Sequence, residues 1–171
     1  MNTVSIQIDA QVKTHFNHLI SEKNDCLSNI ELTKASEKIN HIRVTNKDPY
    51  ILEQMAGLES MIAMVDDNTW TVSSENAKLI NATIRYVAND SDLIPDHIPG
   101  IGYLDDCIVI DNTLDAVEQE LSEFKDFSRT RMVYAKNKQF TLSDWHKIKD
   151  QETASRIRNR RQKRSRLTQQ W

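Results

Sequence analysis

The sequence predicts an all-α protein: a helical bundle of about five to six helices with a Pro/Gly-shaped turn between two of them and a candidate short strand or arm at the N-terminus. Three observations carry this. Glycine and proline are scarce, three of each in 171 residues, and 27% of the residues are charged, which suits a helical globular chain better than a β-sandwich or a disordered one. Apolar residues recur at spacings of three and four through most of the chain. Two prolines and two glycines fall in one stretch, Asn89 to Asp111 (N-D-S-D-L-I-P-D-H-I-P-G-I-G-Y-L-D-D-C-I-V-I-D), so helix-breaking is concentrated in one place.

Taken in order, Val4, Ile6 and Ile8 alternate with polar residues, the period of a short strand or extended arm. Asp9 can cap a first helix carrying Val12, Phe16, Leu19 and Ile20, with His15 and His18 expected on its surface rather than at a metal. A second helix is predicted from about Ile30 to Arg43, with Leu32, Ala35, Ile39 and Ile42 as its apolar face and His41 at the surface. Asp48-Pro49 is a strong helix start, because Asp accepts from free N–H groups and Pro at the first position has none to lose. Ile51, Met55, Leu58, Ile62 and Val65, widened by Leu52, Met61 and Met64, make this third helix central, and Trp70 is expected to fold back on it after Asp66-Asp67-Asn68.

Ser73 or Ser74 can cap the next helix, whose face is Ala77, Ile80, Ile84, Val87 and Ala88, with Arg85 and Tyr86 to the sides. After the proline stretch a long helix runs from about Tyr103 to Phe124 on Cys107, Ile110, Leu114, Val117 and Leu121. Met132, Val133 and Tyr134 have the composition of an extended segment that could pair with the N-terminal arm. Thr141 or Ser143 caps a last helix in which Trp145 and Ile148 dock, whereas beyond Ala154 only Ile157 and Leu167 remain apolar among the polar and basic residues that precede Trp171. Residues 1–150 are thus expected to form one helical domain, and 151–171 a basic C-terminal helical extension or tail.

Composition limits the functional classes. Cys26 and Cys107 have no C-x-x-C spacing, so neither a disulfide scaffold nor a zinc ribbon is supported and a cytoplasmic location is expected. The start, M-N-T-V-S-I-Q-I-D, lacks a basic segment followed by an apolar run, and no window approaches the roughly 18 apolar residues of an integral membrane span. The formal net charge of −3 hides an asymmetry: Arg156 to Trp171 holds seven Lys or Arg and no acid, leaving 15 basic against 25 acidic residues before it, about −10 against +7.

The acids of the proline stretch are the first candidate site. On a wheel with Ile110 at zero, Asp106 falls at about −40°, on the apolar face, whereas Asp105 at about −140° is expected to point away. An inward carboxylate needs a partner. The candidates are free N–H groups of the turn and helix start, a basic side chain with Arg85 foremost, or a divalent cation shared with Asp92, Asp96 or Asp105. Gly100-Ile101-Gly102 does not complete a phosphate-binding pattern, and Asp105 and Asp106 would repel an anion there. His97 has no nucleophile at a supporting spacing.

The same residues resemble the core motif of the YkvA family, a short bacterial domain of unknown function with the pattern D-x-I-P-D-x-I-P-x-x-G-x-x-D-D. Asp92, Ile94, Pro95, Asp96, Ile98, Pro99, Gly102, Asp105 and Asp106 fill it, within about Ala77 to Asp115. The resemblance implies a helix, proline-turn, helix unit in which Asp92, Pro95, Asp96, Pro99, Gly102, Asp105 and Asp106 are structural, and it brings no established reaction. Many relatives have apolar, membrane-associated helices beside the motif; here Asn81, Thr83, Arg85, Asp111, Asn112 and Asp115 stand there instead, which implies a soluble variant.

The second candidate site is R-I-R-N-R-R-Q-K-R-S-R, where Arg156, Arg158, Arg160, Arg161, Lys163, Arg164 and Arg166 suit phosphate because guanidinium donates two hydrogen bonds at once. The expected function is therefore that of a non-enzymatic binding protein whose basic tail engages nucleic acid or an acidic protein, with no cofactor. The alternatives are a metal-dependent enzyme or metal-binding protein using the Asp cluster at 92–106, and an interaction module whose tail docks on another copy of the chain in a homo-oligomer.

Overall fold

The computed structural model describes residues 14, 27–89, 94, 98, 101–135 and 139–168, with 162–168 described by backbone alone. The described residues form an all-α protein of five helices: α1 (Asn29–Thr45), α2 (Pro49–Asp66), α3 (Ser74–Val87), α4 (Leu104–Tyr134) and α5 (Leu142–Thr168). Thr14 is also helical; the expected arm at Val4 to Ile8 and the rest of the helix from Val12 to Ile20 lie outside the described residues.

Local chemistry accounts for the helix starts. Ser28 and Glu31 make a reciprocal capping box on α1, with the Glu31 N–H donating to Ser28 Oγ and the Ser28 N–H donating to Glu31 Oε2 at 2.7 Å. Asp48 accepts from the Tyr50 N–H at 2.9 Å and Pro49 opens α2. Thr141 and Asp144 exchange hydrogen bonds in the same manner at the start of α5. The start of α3 is built differently. Its N-cap, Ser73, makes no capping bond with its own side chain; instead Glu120 of α4 accepts from the Ser73 N–H, the Ser73 hydroxyl and the Asn76 amide. Burial works to raise the pKa of Glu120, and these three donors outweigh it and hold the carboxyl below its ordinary value.

The chain divides into two compact units after Ser122, a point inside α4, which contributes to both. In the first unit α1 packs on α2 and α3, and α2 on α3. Its core holds Ala35, Ile39 and Ile42, the methionines Met55, Met61 and Met64 with Leu58, and Ile80, Ile84, Val87, Ile110 and Val117, all essentially inaccessible. α4 approaches α2 at Gly57, where an added Cβ would lie 2.5 Å from Leu114 Cδ1, and meets α3 through a buried Thr83–Thr113 hydroxyl pair 2.6 Å apart. Trp70 folds back and is buried, as its position after α2 suggested.

The second unit comprises the end of α4 and all of α5. Phe127 is fully buried, with Phe140 5.5 Å and Trp145 6.3 Å away between ring centroids, the latter edge-on at 83°. Asp126 accepts from Trp145 Nε1 at 2.7 Å and pairs with Lys149 at 2.8 Å, tying α5 to α4 beside the aromatic cluster. Two expectations need correction here. The long helix does not stop near Phe124, and Met132, Val133 and Tyr134 are helical rather than extended. The Phe127 and Thr130 positions continue the buried stripe of α4 against the second unit's own core, so the helix is stabilised past the point where the first unit's core ends.

Candidate functional site

The acidic pair at the start of α4 is built from three directions. Gly102 donates its N–H to the Ile98 carbonyl at 2.9 Å, and Tyr103 adopts a left-handed backbone with φ of 69° before the chain enters α4. A tyrosine in that region costs about 1 kcal/mol or more, so it must be held by its surroundings. Its ring lies 5.7 Å from the Lys38 ammonium, close enough for a cation–π contact. Tyr103 therefore precedes the helix instead of opening it, and its ring forms part of the site.

Asp106 is completely buried and its Oδ2 lies 2.8 Å from Lys38 Nζ, whose side chain is 15% exposed. Of the three kinds of partner considered for this carboxylate, the described residues supply a basic side chain, and it comes from α1. Arg85 turns elsewhere, its Nε donating to Glu31 Oε1 at 2.9 Å, so the capping box of α1 is also joined to α3. The Ser28 backbone and hydroxyl, ahead of Arg85, hold the Glu31 carboxyl below its usual value.

Asp105 overturns the wheel. It is buried, with 1% exposure, and its Oδ2 accepts from the Tyr86 hydroxyl and from the Ile94 N–H, both at 3.1 Å. The reason is enclosure: every position from Asp105 to Ile110 is buried, so the first turns of α4 have no solvent face. A wheel assigns one buried stripe per helix, and here Tyr86 of α3 and Ile94 meet the side that would otherwise be open. Consecutive carboxylates about 100° apart thus serve two different sets of donors, where the helix dipole also favours negative charge.

Cys107, next in the chain, is inaccessible; burial, then Asp106 and Asp105, push its thiol up to about 12. It stays protonated near neutral pH and is a poor nucleophile. Of the acids proposed for a cation, only Asp105 and Asp106 are described; Asp92 and Asp96, like Pro95, Pro99, Gly100 and His97, lie outside the described residues. Among the described residues no three His, Cys, Asp or Glu side chains are grouped to hold a metal. Lys38 supplies positive charge at the carboxylate where a cation was considered.

Lys38, Tyr86 and Tyr103 were not singled out by the sequence as members of this site. For Lys38 a signal existed: it lies about 40° from Ile42 on the wheel of α1, a basic residue at the edge of an apolar stripe. For Tyr103 there was none, because a positive φ at a tyrosine is a tertiary outcome.

The basic candidate site is a continuation of α5. The helix runs unbroken to Thr168, and from Thr153 to Arg161 every residue is exposed. Arg156, Arg158, Arg160 and Arg161 stand in solvent, and the Arg158 guanidinium donates to Ser155 Oγ within its own helix at 3.3 Å. Lys163, Arg164 and Arg166 follow on the same helical backbone.

Residues 78–110 match a family model described as a protein of unknown function (DUF1232). The matched segment runs from α3 through the proline stretch into α4. It contains Tyr86, Ile94, Asp105 and Asp106, and omits Lys38 and the whole of α5. No curated protein matches the chain, and no solved structure does. Among the described residues no helix is long and apolar enough to cross a membrane.

Proposed function

We propose that this is a non-enzymatic binding protein of the cytoplasm, in which the acidic pair of the matched segment clasps helices together and the basic part of α5 engages a polyanionic partner, nucleic acid before an acidic protein. The observation that carries the reading is the exposed run of arginines on a helix that continues past its own packing contacts. A helix polar on every side gains nothing from a core. Arg156 faces Arg160 at i,i+4 and Arg158 faces Arg161 at i,i+3, pairs that repel by roughly 0.2–0.5 kcal/mol each and have no acid among them. Phosphate would relieve that repulsion.

The motif around Asp105 and Asp106 we read as YkvA-like, with the proline stretch as a structural joint. Its buried carboxylates have protein partners at Lys38, Tyr86 and Ile94, which supports a clasp rather than a catalytic centre.

The test is fluorescence anisotropy with labelled nucleic acid over a salt series, on the full chain and on the chain ended after Gln151. Binding at low salt should weaken with a log–log slope approaching about −6 if all seven basic residues contact phosphate. The shortened chain should not bind. Absence of binding by the full chain at low salt defeats the reading, and an increase in mass at low salt without nucleic acid would point to docking on a second copy instead.

A further inference from the structure

We infer that the basic end of α5 enters the major groove of duplex DNA and meets phosphates on both walls; this rests on the reading of α5 as a polyanion-binding helix and narrows its partner. Taking Arg156 as zero, Arg160 lies at about 40°, Arg161 at about 140° and Arg158 at about 200° around the helix. All four side chains are exposed. A flat anionic surface, whether a bilayer or the face of a protein, touches one side of a helix and would leave Arg158 or Arg156 unused. A groove walled by two phosphate strands accepts charge from opposite sides at once.

Dimensions agree. A helix with its side chains is about 10–12 Å across, and the B-form major groove is about 12 Å wide. Residues 154–168 give a helical length of roughly 22 Å at 1.5 Å per residue, enough to lie along the groove. The A-form major groove of duplex RNA is deep and narrow, so side chains cannot read it. Single strands are bound largely by stacking on successive aromatic rings, and after His146 the sequence offers one, Trp171. Insertion into lipid needs an apolar stripe, whereas Ile157 is alone among Thr153 to Arg161 as a large apolar residue.

The experiment compares the full chain with Arg156→Gln and Arg158→Gln, which lie on opposite sides of α5. Probes are a short duplex DNA of mixed sequence, duplex RNA and single-stranded DNA of the same length, and phosphatidylserine vesicles. Duplex DNA should bind at least about 10-fold more tightly than the single strand or the RNA. The two substitutions should weaken it by similar factors, and methyl green, which occupies the major groove, should compete where netropsin in the minor groove does not. Equal or tighter binding to single strands, RNA or vesicles, a loss confined to one side of the helix, or competition by netropsin alone overturns the groove assignment while leaving polyanion binding intact. Failure to bind any of these probes at low salt removes the underlying reading as well.

Discussion

Charge is used in opposite ways in the two units of this chain. In the first unit Asp105 and Asp106 are enclosed, each held by named donors at about hydrogen-bonding distance, and the Lys38 ammonium is nearly so. In the second unit Arg156, Arg158, Arg160 and Arg161 of α5 stand in water. Buried charges interact strongly and are hardly screened, but they must be fully partnered; solvated charges contribute little to stability and respond to salt. The difference is one of architecture: groups paired inside the protein join one helix to another, and the exposed arginines are the ones the proposed partner would meet.

The largest test of that contrast is Asp106→Ala. It leaves the Lys38 ammonium facing a buried space and should destabilise the first unit by about 3–5 kcal/mol in urea unfolding. The double variant Lys38→Met with Asp106→Leu should recover most of the loss, since neither charge then remains. Failure of the double variant to recover would mean that the pair contributes more than charge balance.

A smaller effect is expected at the neutral buried pair. Thr83→Val strands the Thr113 hydroxyl and should cost about 1–3 kcal/mol, while Thr83→Val with Thr113→Val should return close to the parent, because matched removal of both polar groups avoids an unsatisfied one. Thermal melting of the single and double variants decides it.

Asp126 lies between the two extremes. Burial works to raise its pKa, but hydrogen bonds from Lys149 and Trp145 outweigh it and hold the carboxyl below its ordinary value. A folded-state pKa below the unfolded one gives stability that is present above about pH 4 and lost as pH falls through the lower folded value. With the side chain 45% exposed, solvent screening reduces the contribution, so Asp126→Asn should cost under about 1 kcal/mol at neutral pH and flatten the acid limb of the second unit's melting curve. Tryptophan fluorescence between pH 2 and 7 would show it.

The smallest effect on stability is expected at Arg156. Arg156→Gln should change the melting free energy by no more than about 0.5 kcal/mol while lowering the salt slope of nucleic-acid binding by about 1. A large stability loss there would mean that this part of α5 is structural, and the contrast between the two units would fail.

Much of the fold was legible because the chemistry that starts helices is local. Ser28 with Glu31, Asp48 with Pro49, and Thr141 with Asp144 act within four residues, and the sequence signals at Asp48 and Thr141 carry over directly into bonds. The apolar stripe of α3 likewise predicts its buried side, whereas in α2 the fully buried residues are Met55, Leu58, Met61 and Met64 and the stripe residues Ile51, Ile62 and Val65 are half-buried. The misreadings cluster where a neighbour changes the environment. Ser73 or Ser74 was expected to cap α3, but Ser73 makes no capping bond and Glu120, 47 residues away, accepts from the Ser73 N–H and hydroxyl and from the Asn76 amide. Asp105 was assigned to solvent because its own helix gave no hint that Tyr86 of α3 and the Ile94 N–H would meet it.

By itself, then, the sequence determined an all-α chain, the positions of most helix starts, two acids at the start of the helix that follows the proline stretch, and a basic helical end. Those features depend on rotamers, capping bonds and periodicity that act over a few residues. Only the tertiary structure decided that Asp106 pairs with Lys38 rather than Arg85, that Asp105 is buried against Tyr86, and that α4 extends into a second core around Phe127. Each of these depends on where one helix crosses another, and a crossing is settled by the summed packing of many side chains that no local pattern encodes.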